Sequence, residues 1–449
     1  MSTGAGQAPE SALMHLNIMT LALAGVLGLV LLWFTVRSTE TWLIMAILSH
    51  LILFLHERGI VETTIYQAVA YSAIFFPGLF WWFTKRVTES RKIIDHWTEL
   101  GLVAFVIFGL VSIGWATMYG FSLTKGIREF VLFLPYLMYF PLRDYVAENN
   151  EQYVVAALLF VALAVAVFNI VQYRLLMITA HYFWQIMGER VNLGEPLMMS
   201  SIIIMFGFIA AKKYNFYLVA SLIAVSTIAL VLTFSRGYWG AGFFGLLLLM
   251  YIVKGAPRKR MLRLVLASFA GIILVAAIVF PKLMVDLVAG LAVRLAQLGG
   301  RDLSLESRLA ESAVVLDHFV RSPVIGYGMG AEFSFFNPIN SLTTTTWYIH
   351  NGYLFMLYKF GVVGTILYLS FYLHMAITTA REAAGVADEE TRILLYSFFC
   401  IMTAMLIVNL TSPQFYDRVA LLILTVLWGI SSGIAKRNRS SGKSMAVTR

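Results

Sequence analysis

The feature that most constrains this chain is a succession of blocks, each roughly 15 to 25 residues long, that are apolar on every face. A bilayer core about 30 Å thick is crossed by roughly 20 such residues in a helix. The blocks fall at 16–36, 41–55, 65–83, 100–120, 130–142, 153–173, 196–211, 215–234, 237–253, 264–281, 351–375, 393–410 and 419–434. They predict an all-α fold, a polytopic integral membrane protein of about 12 or 13 transmembrane helices. A β-barrel needs apolar residues that alternate with polar ones, and these runs do not alternate. Blocks 41–55 and 130–142 are short for a full crossing, so each is expected to tilt, to re-enter or to sit where the bilayer thins.

Lys and Arg sort the connections into two kinds. Lys85, Arg86, Arg91 and Lys92, Lys212 and Lys213, the run Lys254, Arg258, Lys259, Arg260 and Arg263, and the tail residues Lys436, Arg437, Arg439, Lys443 and Arg449 fall on one side. The positive-inside rule makes that side the cytoplasm. Topology thus explains most of the net charge of +9, and basic residues dispersed over short loops exclude a nucleic-acid partner. Residues 1–14 hold no Lys or Arg, so no cleaved signal peptide is expected. The single cysteine, Cys400, lies within an apolar block and excludes an intramolecular disulfide.

Four regions follow: N-terminal transmembrane helices over 1–281, a large outer loop over 282–350, C-terminal transmembrane helices over 351–435 and a basic cytoplasmic tail over 436–449. Within the loop, Leu283 to Leu298 has the spacing of a helix lying on the membrane surface. A second helix is predicted from Ser304, which can cap it, to about Val320, with Leu305, Leu309, Leu316 and Phe319 on or near one face. It should stop before Ser322-Pro323, because proline restricts the residue before it. Gly326-Tyr327-Gly328-Met329-Gly330 lacks the strand, helix and lysine of a nucleotide loop and reads as a turn. The outer stretch 176–195, with His181, Trp184, Glu189 and Arg190, looks interfacial.

Polar residues stand out where a membrane protein has least use for them. Arg236, in Thr233-Phe234-Ser235-Arg236-Gly237, sits between two apolar runs with almost no loop to spare. It is either a ligand-binding guanidinium or an arginine snorkelling to the interface. His350-Asn351 lies where the large loop re-enters the membrane. Gly361 and Gly364, eleven and fourteen positions on, fall about 20° and 40° from the His350 azimuth on a continuous helix, which predicts a face kept open by glycines. Lys359 points to the opposite face and suggests structural pairing. Arg308 has Glu311 one turn along and Arg301 two turns before, a group that reads as a binding site or as a solvated face. On the outer side Arg outnumbers Lys ten to two, and a planar fork of donors suits phosphate and carboxylate. That side has no Asp-x-Asp pair, and Glu57 and Glu62 share their loop with Arg58, so no metal is expected. No Gly-x-Ser-x-Gly nucleophile motif is present.

These residues together resemble the O-antigen ligase and O-antigen polymerase superfamily of bacterial envelope glycosyltransferases. The resemblance rests on Ser235-Arg236-Gly237, Ser307-Arg308-Leu309, Ser322-Pro323 followed by Gly326 to Gly330, and above all His350-Asn351 followed by Gly361-x-x-Gly364, over roughly residues 190–370. It implies transfer of a glycan from undecaprenyl pyrophosphate to an acceptor hydroxyl in the periplasm, by an inner-membrane enzyme using no cofactor. The acceptor would be another lipid-linked glycan for a polymerase or the lipid A core for a ligase. By position, His350 would be the general base, and Arg236 and Arg308, with Arg190 as a third, would bind the pyrophosphate. A polysaccharide transporter or flippase is the reading from another class. Against it stand the lack of an inverted repeat and the scarcity of charges inside the spans. Because the outer side offers no paired acids, transfer should persist at full rate in EDTA. An activity lost to chelation and restored by magnesium or manganese would contradict this reading.

Overall fold

The computed structural model describes residues 26, 30, 33, 38–55, 65–149, 151–179, 194–266 and 303–447. Blocks 16–36 and 264–281 lie largely outside these residues. Leu283–Leu298, His181, Trp184, Glu189, Arg190 and Arg301 lie outside them entirely. The described helices are α1 (Thr39–Leu55), α2 (Ile65–Thr88), α3 (Glu99–Met118), α4 (Leu123–Val131), α5 (Leu134–Leu137), α6 (Tyr139–Glu148), α7 (Gln152–Thr179), α8 (Glu195–Ala211), α9 (Phe216–Leu232), α10 (Arg236–Ile252), α11 (Leu303–Arg321), α12 (Gly352–Gly385), α13 (Glu389–Val408) and α14 (Arg418–Val447). Among the described residues five helices are long and apolar enough to cross a membrane: Glu99–Met118, Gln152–Leu176, Gly352–Gly385, Glu389–Val408 and Arg418–Ser440. The fold is that of a multi-pass helical membrane protein.

Two elements depart from the apolar pattern. Block 130–142 is not one helix but the junctions of α4, α5 and α6, with Pro135 and Pro141 removing backbone donors from any continuous ladder. From Val131 to Val146 every residue except Leu137 is buried, so this broken segment runs through the interior of the bundle. The second departure is a hairpin, the only strand pair among the described residues, β1 (Phe333–Asn337) against β2 (Leu342–Thr346), antiparallel with Phe333 opposite Thr346. Phe333 and Phe335 face inward and Ser334 and Phe336 outward, the period of two that a half-buried strand requires.

Several basic residues pair with acids. Arg143 Nη1 lies 2.6 Å from Glu99, Arg91 2.8 Å from Glu148, and Lys436 2.6 Å from Asp95. Arg86 pairs with Asp144, and Lys213 with Glu390. Arg439 approaches Glu382 near the end of α12. Helix α10 begins at Arg236, and α12 begins immediately after the His350 turn.

Between its ends α12 is interrupted. Gly361 has φ 59° and ψ −164°, so the helix loses the bonds from Val362 and Val363 to the carbonyls of Tyr358 and Lys359. The segment after α11 replaces all four ends. The N–H groups of Tyr327 and Gly328 donate to the Tyr358 and Lys359 carbonyls (2.8 and 2.8 Å), and those of Val362 and Val363 donate to the Pro323 and Val324 carbonyls (2.8 and 3.1 Å). Gly326 has φ 67°, and a Cβ there would lie 2.6 Å from Gly361 N and Tyr358 O. The expected open glycine face is therefore not present. A Cβ on Gly361 would meet the Val324 main chain, and one on Gly364 would meet Phe360 and Phe108. The break also ends the azimuthal relation to His350, since that relation assumes a continuous helix.

Lys359 is fully buried beside the break. Its Nζ donates to both oxygens of Glu129 on α4 (3.1 and 2.9 Å) and to the Ala331 carbonyl (2.7 Å), while Glu129 Oε2 accepts the Gly330 N–H at 2.8 Å. The expected structural pairing is found, and its partner is a carboxylate that also holds the inserted loop. Removing one member of such a pair leaves the other charged and buried, at a cost of about 3–5 kcal/mol. Lys359→Met should lower thermal stability in detergent accordingly, and Glu129→Gln added to it should recover part of the loss. A Lys359→Met protein as stable as the native one would show that the pair clamps nothing.

Candidate active site

His350 is placed by the chain on both sides. Before it, Trp347 and Ile349 are buried, Trp347 against the Tyr416 ring. After it, Asn351 caps α12, its Oδ1 accepting the N–H groups of Tyr353 (2.9 Å) and Leu354 (3.1 Å). Gly352 donates its N–H to the Asn409 carbonyl at 2.7 Å, and the Asn409 side chain fills the space a Cβ would need.

The imidazole is held by Glu311 of α11. One carboxylate oxygen accepts the His350 main-chain N–H at 2.7 Å, and the other lies 2.7 Å from Nδ1. The Glu311 side chain is 3% exposed and that of His350 40%. A carboxylate can only accept, so this contact places a proton on Nδ1, and in the neutral ring the Nε2 lone pair is then free. The Tyr348 ring meets the imidazole edge-on, with centroids 5.0 Å apart. The result is a partly open base with a buried orienting acid, the logic of a nucleophile-activating dyad.

Arg236 opens α10 after a reversal of only three residues from α9. Phe234 takes φ 53° there, and the Ser235 hydroxyl donates to Glu195 Oε1 at 2.9 Å. The arginine is exposed. The next residue, Gly237, faces the Thr411 hydroxyl, and Tyr238 accepts from Gln414 Nε2 at 2.7 Å. The connection from Asn409 to Asp417 thus touches both halves: the Arg236 turn through Thr411 and Gln414, and the His350 turn through Asn409 and Leu410. At its far end Asp417 caps α14 through the N–H groups of Val419 and Ala420. Burial pushes its carboxyl above the ordinary carboxylate range, opposed by those N–H groups and by Arg418.

Arg308 lies on α11, three residues before Glu311 and one after Ser307, whose hydroxyl donates to Asn337 Oδ1 at 3.0 Å. The helix joins Arg308 to the His350 turn, and the 409–417 connection joins Arg236 to it. Arg190 lies outside the described residues. Sequence reading assigned Glu311 to the surroundings of Arg308 and did not single out Glu195 or Asn409–Asp417. The Asn, Ser, Gln and Asp clustered between two apolar blocks were the available signal for the last. Among the described residues no three His, Cys, Asp or Glu are grouped as a metal ion would require.

Residues 219–369 match the family described as O-antigen ligase, so the chain carries that domain and is a membrane enzyme. The matched span includes Arg236, Arg308, Glu311 and His350. No curated protein matches the chain.

Glu311→Gln tests the tautomer without altering shape. Its carbonyl can keep the His350 main-chain N–H, but its amide NH₂ then donates to Nδ1 and drives the ring proton onto Nε2. Carbethoxylation of His350, followed by peptide mass spectrometry, should slow several-fold. An unchanged rate would mean that Glu311 does not set the tautomer.

Proposed function

We propose that this membrane enzyme of the O-antigen ligase type transfers a glycan from undecaprenyl pyrophosphate to a hydroxyl of an acceptor glycan or of the lipid A core. The reaction takes place at the periplasmic face of the bacterial inner membrane, where loop 282–350 and the ends of spans 1–281 and 351–435 meet. The His350–Glu311 pair carries the reading. It sets an imidazole that is open on one side against a buried carboxylate, within the same matched segment as Arg236 and Arg308.

In the proposed reaction His350 Nε2 accepts the proton of the acceptor hydroxyl as its oxygen bonds to the anomeric carbon. Glu311 stabilises the imidazolium that forms. The bond from the anomeric carbon to the pyrophosphate oxygen breaks, and the leaving lipid pyrophosphate takes the electron pair. Arg236 and Arg308, with Arg190 as a third, balance the charge that develops on it. The donor is already activated, so base and cations supply what the step needs. The buried Lys359–Glu129 pair bonds to the inserted loop, so its charges serve that junction rather than a transport route.

His350→Ala should lower turnover by roughly 10²- to 10⁴-fold, with donor binding almost unchanged. Arg236→Lys should stay impaired despite the retained charge, because an ammonium lacks the bidentate fork, whereas a snorkelling arginine tolerates lysine. The measurement is transfer from a lipid-linked glycan, and donor affinity, in matched membranes with expression checked. Full activity in both variants would defeat the assignment.

A further inference from the structure

We propose that the outward face of α11 is seated among lipid acyl chains at the bilayer surface, so that this helix lies along the membrane rather than standing in the water above it. At about 100° per residue, Leu305, Leu309, Leu316 and Val320 fall within about 60° of one another and roughly 150° round the helix from Glu311. All four are exposed, Leu309 at 60% and Val320 at 73%, while Ser307, Glu311 and Val315 on the other side are buried. A helix packed on protein by one face ordinarily turns polar residues to water with the other. Here the free face is apolar, with Arg308 along one margin and the Asp317–Arg321 pair (2.6 Å) along the other. This is the distribution of an interfacial helix.

The end of α11 fixes what covers that face. Two residues beyond Arg321 the chain bonds to α12 through Pro323 and Val324, at Val362 and Val363. Val362 is ten residues into α12, about 15 Å from its start at 1.5 Å per residue. Val324 and Ile325 are exposed there, beside the exposed Val362, Val363 and Ile366 on a helix that crosses the membrane. The apolar stripe of α11 is therefore continuous with a lipid-facing surface, and its C-terminal end is anchored below the level of His350.

The test uses the full chain in phosphatidylcholine–phosphatidylglycerol vesicles, with nitroxide labels on Leu309→Cys, Leu316→Cys and, as the margin control, Asp317→Cys. Cys400 stays in place because it is buried. Labels at 309 and 316 should collide several-fold more with oxygen than with a water-soluble nickel chelate, relative to the label at 317. Equal access of nickel to all three would overturn the proposal. As a check on the unsubstituted chain, a lipid with an acyl-chain diazirine should label the peptide carrying residues 305–320, and an unlabelled peptide would overturn it equally. Neither readout uses catalysis, so a failure here is separate from a failure of the proposed reaction.

Discussion

Backbone polar groups inside a bilayer have no water to turn to, and each one left unpaired costs several kcal/mol. The break at Gly361 exposes two N–H and two C=O groups of α12 to that penalty, and residues 323–328 satisfy every one. The exchange works only because the two main chains come close enough to bond, which Gly326 and Gly361 permit by lacking a Cβ. Lys359 and Glu129 reinforce the same junction, joining α12 to α4 and to the Gly330–Ala331 main chain. Lys125 extends it, reaching Glu332 at 2.7 Å just before β1. The segment from Pro323 to Glu332 is thus rooted in the membrane helices, and the hairpin that leads to His350 starts from a fixed base.

From that base the site is assembled from chain segments distant in sequence. The hairpin delivers His350 to the head of α12, α11 delivers Glu311 to the imidazole, and Asn409–Asp417 links the His350 turn to the turn carrying Arg236. Each link is a main-chain or short side-chain bond, so little rotamer freedom remains at the imidazole. Burial of Glu311 keeps water from competing for it, while His350 stays open on the side away from the carboxylate.

Much of this was legible in the sequence, for identifiable reasons. Apolar runs announce helices because lipid permits little else, and α11 ends at Arg321, just before its Ser-Pro stop, although it begins at Leu303 and so takes Ser304 into the helix instead of as its cap. Arg236 and His350 fall at helix starts, as their positions beside apolar blocks implied. What escaped depends on tertiary pairing. Glu311 lies near Arg308 in sequence, yet its partner is 39 residues away. The helical azimuth linking His350 to Gly361 and Gly364 presumed an unbroken helix, and Gly361 breaks it. The hairpin escaped because Phe333–Asn337 and Leu342–Thr346 are short and gain their order by pairing with each other. Lys359 was visible as an anomaly, but only the fold brings Glu129 to it.

Because Arg308 and Glu311 share one helix, their mutual orientation is a matter of register. Side-chain replacement at Ser307, Leu309 or Ala310 leaves that register intact. Inserting or deleting a single residue between Arg308 and Glu311 rotates one of them by about 100° relative to the other and shifts it by about 1.5 Å. The turn from Arg308 to Glu311 is therefore fixed in length though not in composition, whereas the tip of the hairpin, from Asn337 to Leu342, bears no such restriction.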